Sequence, residues 1–178
     1  LWLKKDLKGR ELSGKTIGII GFGHIGQKVA ELAQAFGCKI LYKGKTKKNS
    51  TFEEIFQNSD LISLHIPLSA ETKGLIGEKF LKLMKRDAYL INTSRGEIVD
   101  EVFLYNMLFQ KQIKGAALDV FWQEPLSSDS KWRKLENVLL TPHIAASTSE
   151  ALQKASISIV EDIIRFNKGE KLFGQYKI

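Results

Sequence analysis

Arginine, glutamate and histidine stand in three short polar segments of this chain, each following an apolar run. The segments are Asn92–Asp100 around Arg95, Asp119–Pro125 around Glu124, and Thr141–Thr148 around His143. On loops that converge, these three residue types make one chemical set. An arginine fork grips a carboxylate through two parallel bonds. A histidine of near-neutral pKa carries a proton, and a neighbouring carboxylate shifts that pKa upward. Taken singly, each residue also has a plainer use. Arg95 fits a surface ion pair, Glu124 a rim charge, and His143 a loop residue after Pro142.

A further feature is the run Gly21-Phe22-Gly23-His24-Ile25-Gly26. Glycines at this spacing arise by chance in many chains, and alone they could mark a bare strand–helix turn. Here they follow the strand-like run Ile17–Ile20 and open a helical stretch, the context in which such a turn cradles a dinucleotide pyrophosphate. Gly21 allows the tight turn, Gly23 a close backbone approach to the pyrophosphate, and Gly26 close packing of helix on strand. The helix N-terminus adds free N–H groups and positive potential. An NAD site usually carries Asp or Glu about 20 residues further on, to hold the ribose 2′-hydroxyl. No acid occurs from Leu32 to Phe52, and the expected place reads Tyr42-Lys43-Gly44-Lys45-Thr46-Lys47. Lys39 and Lys48 add to the cluster. Gly44 and Lys45 leave room and positive charge for a 2′-phosphate, so NADP is the expected cofactor and NAD the alternative. A merely basic loop at an NAD-preferring site is the plainer reading.

The elements that must position these residues alternate along the chain. Strands are expected at Thr16–Ile20, Lys39–Tyr42, Leu61–Ile66, Ala88–Ile91, Gly115–Val120 and Val138–Leu140. Helices are expected from about Gly23 to Phe36 with Gly37 as the stop, over Glu78–Met84, and from a cap at Asp100 to Gln110. Ser50-Thr51-Phe52-Glu53 reads as a capping box before a short helix. Ser147-Thr148-Ser149-Glu150 reads as a second, opening a long helix with Leu152, Ala155, Ile159, Ile163 and Phe166 on one face. Gln123–Lys131 is the longest irregular stretch. Strands alternating with helices imply an α/β fold: a doubly wound parallel sheet between two helical layers, with right-handed crossovers. Polar residues just beyond the strand ends then gather in one crevice.

Bulk properties narrow the function. The 178 residues suit one α/β domain, taken over 1–178 with 149–178 as its terminal helix and tail, and the composition is that of a soluble protein, 43% hydrophobic and 26% charged. No run approaches the length of a membrane span, and the first residues lack a signal peptide's apolar core. The single cysteine, Cys38, excludes a disulfide framework or metal-ligand spacing and fits a reducing cytoplasm. It reads as a small buried hydrophobe. His65 reads as structural or cofactor-adjacent. The net charge of +7 is spread along the chain except for the lysine cluster, and no nucleic-acid module is visible.

In order and spacing, the glycine turn, Asn92–Asp100, Gly115–Pro125 and Thr141–Thr148 resemble the signatures of the D-isomer-specific 2-hydroxyacid dehydrogenases, over essentially the whole chain. The resemblance implies a Rossmann-type dinucleotide-binding domain. It implies that Arg95 binds the substrate carboxylate and carbonyl oxygen, that His143 is the general acid/base, and that Glu124 orients His143 and favours its protonated form. Asp119 would hold the nicotinamide side. His24 and Ile25 would sit over the pyrophosphate, and Ile66, Thr93, Ser94, Ala145 and Ala146 would line the dinucleotide. The family carries a substrate domain before the glycine turn, whereas the first strand here is expected at Thr16. That domain is expected to be missing, in line with a chain that opens on Leu1. The chain alone is then expected to bind the dinucleotide and to turn over no substrate. The activity implied is hydride transfer between a nicotinamide cofactor and a D-2-hydroxy acid or 2-oxo acid, of the glyoxylate/hydroxypyruvate or 3-phosphoglycerate type. Glu124 argues against the formate branch, where glutamine is expected. The alternative is a dinucleotide-sensing interaction protein like the C-terminal-binding corepressors. A homodimer without nucleic-acid or membrane partners is implied as well.

Overall fold

Short apolar runs bounded by turns form six strands in the computed structural model, which describes residues 9–174. They are β1 (Thr16–Ile20), β2 (Lys39–Lys43), β3 (Leu61–Leu64), β4 (Tyr89–Asn92), β5 (Gly115–Leu118) and β6 (Val138–Leu140). All pair in parallel, in the order β2-β1-β3-β4-β5-β6. The chain leaves β1 for one neighbour, β2, and returns to the other side as β3. This reversal opens a crevice beyond the carboxyl ends of β1 and β3.

Helices α1 (His24–Ala35), α2 (Phe52–Asn58), α3 (Glu78–Leu81) and α4 (Glu101–Phe109) connect the strands. Side chains alternate across a strand, and the core divides accordingly. Ile17 and Ile19 pack with Ala30 and Ala33 of α1. Ile20, Ile62, Leu64, Leu90 and Leu118 pack on the opposite face with Ile55 and Phe56 of α2 and Leu104, Met107 and Leu108 of α4. Helices thus cover both faces of the sheet. Each fully buried aliphatic side chain contributes roughly 1.5–3 kcal/mol. On the α1 side β4 and β6 leave Tyr89 and Leu139 exposed. Cys38 is free and buried beside Ala30 and Ala33.

Several boundaries differ from expectation for local reasons. The capping box on α2 is shifted by one residue: Thr51 Oγ1 accepts from Glu54 N at 3.1 Å, and Glu54 Oε2 accepts from Thr51 N at 2.7 Å. Ser50 is buried with its hydroxyl on Asn49, and Glu53 pairs with Lys79 at 3.0 Å. The doublets Ser-Thr and Glu-Glu permit two registers, and the observed one buries Ile55 and Phe56. Helix α3 stops at Leu81 because Leu83 and Met84 bond back three residues, to Phe80 and Leu81, tightening the turn. Strands β3 and β5 end at Leu64 and Leu118, although His65 N still reaches Ile20 O and Asp119 N reaches Asn92 O. Gly37 adopts a positive φ of 79° just past α1, as a helix stop requires.

These elements form one compact unit ending at Pro142, and a second unit begins at His143. The second contains α5 (Ser149–Asn167). Its cap is Thr148, which accepts from Ala151 N at 3.1 Å. The expected box from Ser147 to Glu150 does not form, because a Thr148 cap puts Ala151 at the reciprocal position. Leu152, Ile159, Ile163 and Phe166 are exposed. Asp162, within α5, accepts from the N–H groups of Phe173 and Gly174 beyond the helix, which hold its carboxyl below the usual range. Among the described residues no helix is long and apolar enough to cross a membrane.

Candidate active site

The crevice beyond β1 and β3 is lined by backbone. Gly21, with φ of 97°, donates its N–H to Lys43 O at 2.8 Å. A Cβ there would lie 2.2 Å from His65 O and 2.9 Å from Ile66 Cγ2. A Cβ on Gly26 would lie 2.0 Å from Gly21 O, so α1 sits directly on the turn. Gly23, the N-cap of α1, is different: a Cβ there would meet nothing within 4 Å. No side chain caps this helix end and no acid lies in its first turn. His24 and Ile25 are exposed beside it. Open space, free N–H groups and a helix N-terminus suit a pyrophosphate.

The lysine segment joins this crevice through the bond from Gly21 to Lys43. It turns back on itself: Gly44 N donates to Lys47 O at 2.8 Å, and Lys43 bridges Lys48 antiparallel. Asn49 fixes the turn, accepting from Tyr42 N at 2.7 Å and donating to Ile40 O at 3.0 Å. Phe22 stacks on Tyr42 with ring centroids 3.8 Å apart. A Cβ on Gly44 would crowd Phe22 and Lys47 O at 3.0 Å. Lys45, Lys47 and Lys48 are exposed. Asn49 and the Phe22–Tyr42 pair had no signal in the sequence, since they act on local backbone and on each other.

Beyond β4 the loop is held by its own polar groups. Asn92, buried at the strand end, donates to Arg95 O at 2.9 Å and accepts from Ser94 N at 3.0 Å. Ser94 Oγ donates to Leu64 O at 2.6 Å, tying this loop to β3. Thr93 and Arg95 are exposed, and the Arg95 guanidinium donates to Ser94 O at 2.6 Å. Beyond β5, Asp119 is buried and accepts from Thr141 Oγ1 at 2.5 Å. Glu124 Oε1 accepts from Phe121 N at 2.9 Å. Gly96 lies flush against this second loop, where a Cβ would be 2.2 Å from the Phe121 carbonyl carbon. The Arg95 and Glu124 loops therefore touch through backbone.

His65, at the end of β3, exchanges a 2.9 Å hydrogen bond between Nε2 and Ser63 Oγ, and burial pushes its pKa down. His143, Ala145 and Ala146 belong to the second unit. His143 has a left-handed φ of 54°, and the turn after it closes with Ser147 N on Ile144 O and Thr148 N on Ala146 O. Among the described residues, no group of His, Cys, Asp and Glu is placed to hold a metal ion.

The site in the first unit is thus a dinucleotide crevice flanked by a loop that presents an arginine, and comparison with known proteins assigns this arrangement to a family. The family described as D-isomer specific 2-hydroxyacid dehydrogenase, NAD binding domain, matches residues 1–145. Glyoxylate reductase of Thermococcus litoralis is 46% identical over 95% of this chain and 54% of its own length. Hydroxypyruvate reductase of Thermotoga maritima is 42% identical over 92% of this chain and 56% of its own. An acyclic imino acid reductase solved with NADPH and D-Arg superposes with a TM-score of 0.87, at 39% identity over 97% of this chain and 56% of that one. The NAD-complexed form of a D-isomer specific 2-hydroxyacid dehydrogenase from Lactobacillus delbrueckii gives 0.88, at 31% identity over 97% and 59%. The chain spans about half the length of the curated relatives it matches. These names favour an enzyme over the interaction protein considered above. The chain belongs to the D-isomer-specific 2-hydroxyacid dehydrogenases, and its Rossmann-type sheet is the NAD(P)-binding domain of that family.

Proposed function

We propose that the protein is an NADP-preferring reductase of small 2-oxo acids, of the glyoxylate/hydroxypyruvate type. The observation that carries this reading is Arg95 on a braced loop beside the Glu124 loop, next to a crevice that suits a dinucleotide. A bound nicotinamide dinucleotide supplies the hydride. Arg95 binds the substrate carboxylate and carbonyl oxygen, because a planar fork fixes which face of the carbonyl is presented. His143 gives the carbonyl oxygen its proton as hydride arrives at carbon, and Glu124 orients that imidazole. Gly21, Gly23, His24, Ile25 and Gly26 hold the pyrophosphate. Ile66, Thr93, Ser94, Ala145 and Ala146 line the dinucleotide, with Asp119 toward the nicotinamide. Gly44 and Lys45 receive the 2′-phosphate, a reading supported by the exposed lysines and the absence of an acid in the segment. A cytoplasmic homodimer acting on a small-molecule substrate completes the reading.

The test is a steady-state NADPH oxidation assay on the full-length protein with glyoxylate and hydroxypyruvate. The reading expects turnover within about 1–10³ per second. No turnover with any 2-oxo acid, beside intact NADPH binding, would leave a binding protein in its place.

A further inference from the structure

Trp122 lies between the two loops of the substrate end and has no part in the roles given above. It is 49% exposed, yet its indole N–H is shared between two backbone carbonyls, Val99 O at 2.9 Å and Gly96 O at 3.1 Å. Both belong to the tight turn immediately after Arg95. The Trp122 backbone N–H points to Glu101 Oε2 at 3.3 Å, and the other oxygen of Glu101 accepts from Trp132 Nε1 at 2.6 Å. Trp132 is buried and meets Tyr105 of α4 edge-on. One unbroken set of contacts thus runs from the core, through Glu101 and Trp122, to the carbonyls behind Arg95. On its other side Trp122 follows Phe121, whose backbone abuts Gly96 and whose N–H binds Glu124.

We propose that Trp122 is a positioning residue, a brace that fixes the Arg95 loop against the Glu124 loop and so sets the aim of the arginine fork. The proposal rests on the reading of Arg95 as the carboxylate anchor. Two-point recognition of a carboxylate tolerates little error, and a displacement of about 1 Å can cost on the order of 10²-fold in productive binding. Without the indole N–H, Val99 O loses this donor and Gly96 O keeps only the N–H of Val99, which weakens the tie between the turn and the Glu124 loop. The pyrophosphate turn has its own supports, Gly21 on Lys43 and Gly26 against Gly21, and Ser94 is tied separately to Leu64 O, so dinucleotide binding does not depend on the brace.

The test compares the full-length protein with Trp122→Phe, which keeps the ring and removes the N–H. KM for the 2-oxo acid should rise roughly tenfold, with kcat within about threefold and NADPH affinity unchanged. Backbone amide exchange across 93–99 should quicken, while exchange across β1 and α1 stays as in the parent. Glu101→Gln, whose amide offers one acceptor oxygen where the carboxylate uses two, loses one of its two N–H partners and should shift KM in the same direction as Trp122→Phe, by a smaller factor. An unmoved KM, or unchanged exchange across 93–99, overturns the brace. If the parent itself turns over no 2-oxo acid, the reading of Arg95 fails, and the exchange measurement still decides whether Trp122 holds the loop.

Discussion

The crevice beyond β1 and the loops beyond β4 and β5 are built on opposite plans. At the end of β1 and the start of α1 the working parts are backbone: an uncapped helix N-terminus, open space over Gly23, and glycines where a Cβ would strike a carbonyl. At the ends of β4 and β5 the working parts are side chains, and other side chains hold them. Asn92, Ser94, Glu101 and Trp122 each bond to backbone or to a residue far along the chain. A site made of backbone advertises itself through glycine spacing. A site braced by side chains depends on partners that only the fold brings near.

The strongest way to break this comparison is to remove chemistry at one end and look for an effect at the other. In the full-length protein, His143→Ala should slow reduction by on the order of 10²–10⁴-fold, with NADPH affinity within about twofold. Measuring kcat beside a fluorescence titration checks both, and near-normal turnover would remove His143 from the mechanism.

A pair of glycine substitutions sharpens the contrast further. Gly96→Ala forces a Cβ to 2.2 Å from the Phe121 carbonyl carbon, so it should cost about 1–3 kcal/mol of stability in a denaturant titration. Gly23→Ala meets nothing within 4 Å, so stability should change by no more than about 0.5 kcal/mol. Its new methyl group stands where the pyrophosphate would approach, so NADPH binding should weaken. Equal stability losses in the two variants would contradict the division between packed and open glycines.

The smallest effect is one of pH. Burial pushes the His65 pKa below its ordinary value, so the unfolded chain binds the proton more readily between the two values. The contribution of the neutral imidazole to stability is therefore complete above the unfolded value of about 6.5 and is lost as pH falls toward the folded one. Denaturation midpoints should decline as pH drops below about 6.5, and His65→Gln should flatten that decline. A midpoint that rises on acidification would reverse the assignment.

Much of the fold was legible in the sequence because its signals are local. β1 and β6 fall where the apolar runs lie, and Asp100 caps α4 through Phe103 N as its position before the helix implied. The glycine turn was legible for the same reason, since its three glycines sit within six residues. Where two residues offered the same chemistry, as with Ser50 and Thr51, only burial of Ile55 and Phe56 decided the register. The bracing of the Arg95 loop was not legible at all. Trp122 in a polar segment looks like an exposed aromatic, and its two carbonyl partners lie 26 and 23 residues away.

In the proposed function the crevice beyond β1 and β3, with its lysine loop, receives a dinucleotide that carries a 2′-phosphate. The decisive measurement is a titration of the purified chain with NADPH and with NADH, followed by nicotinamide fluorescence. A charge-assisted contact to phosphate contributes about 1.5–3 kcal/mol. NADPH should therefore bind roughly tenfold or more tighter, and Lys45→Ala should remove most of the difference. Equal affinities, or a preference for NADH, would contradict it.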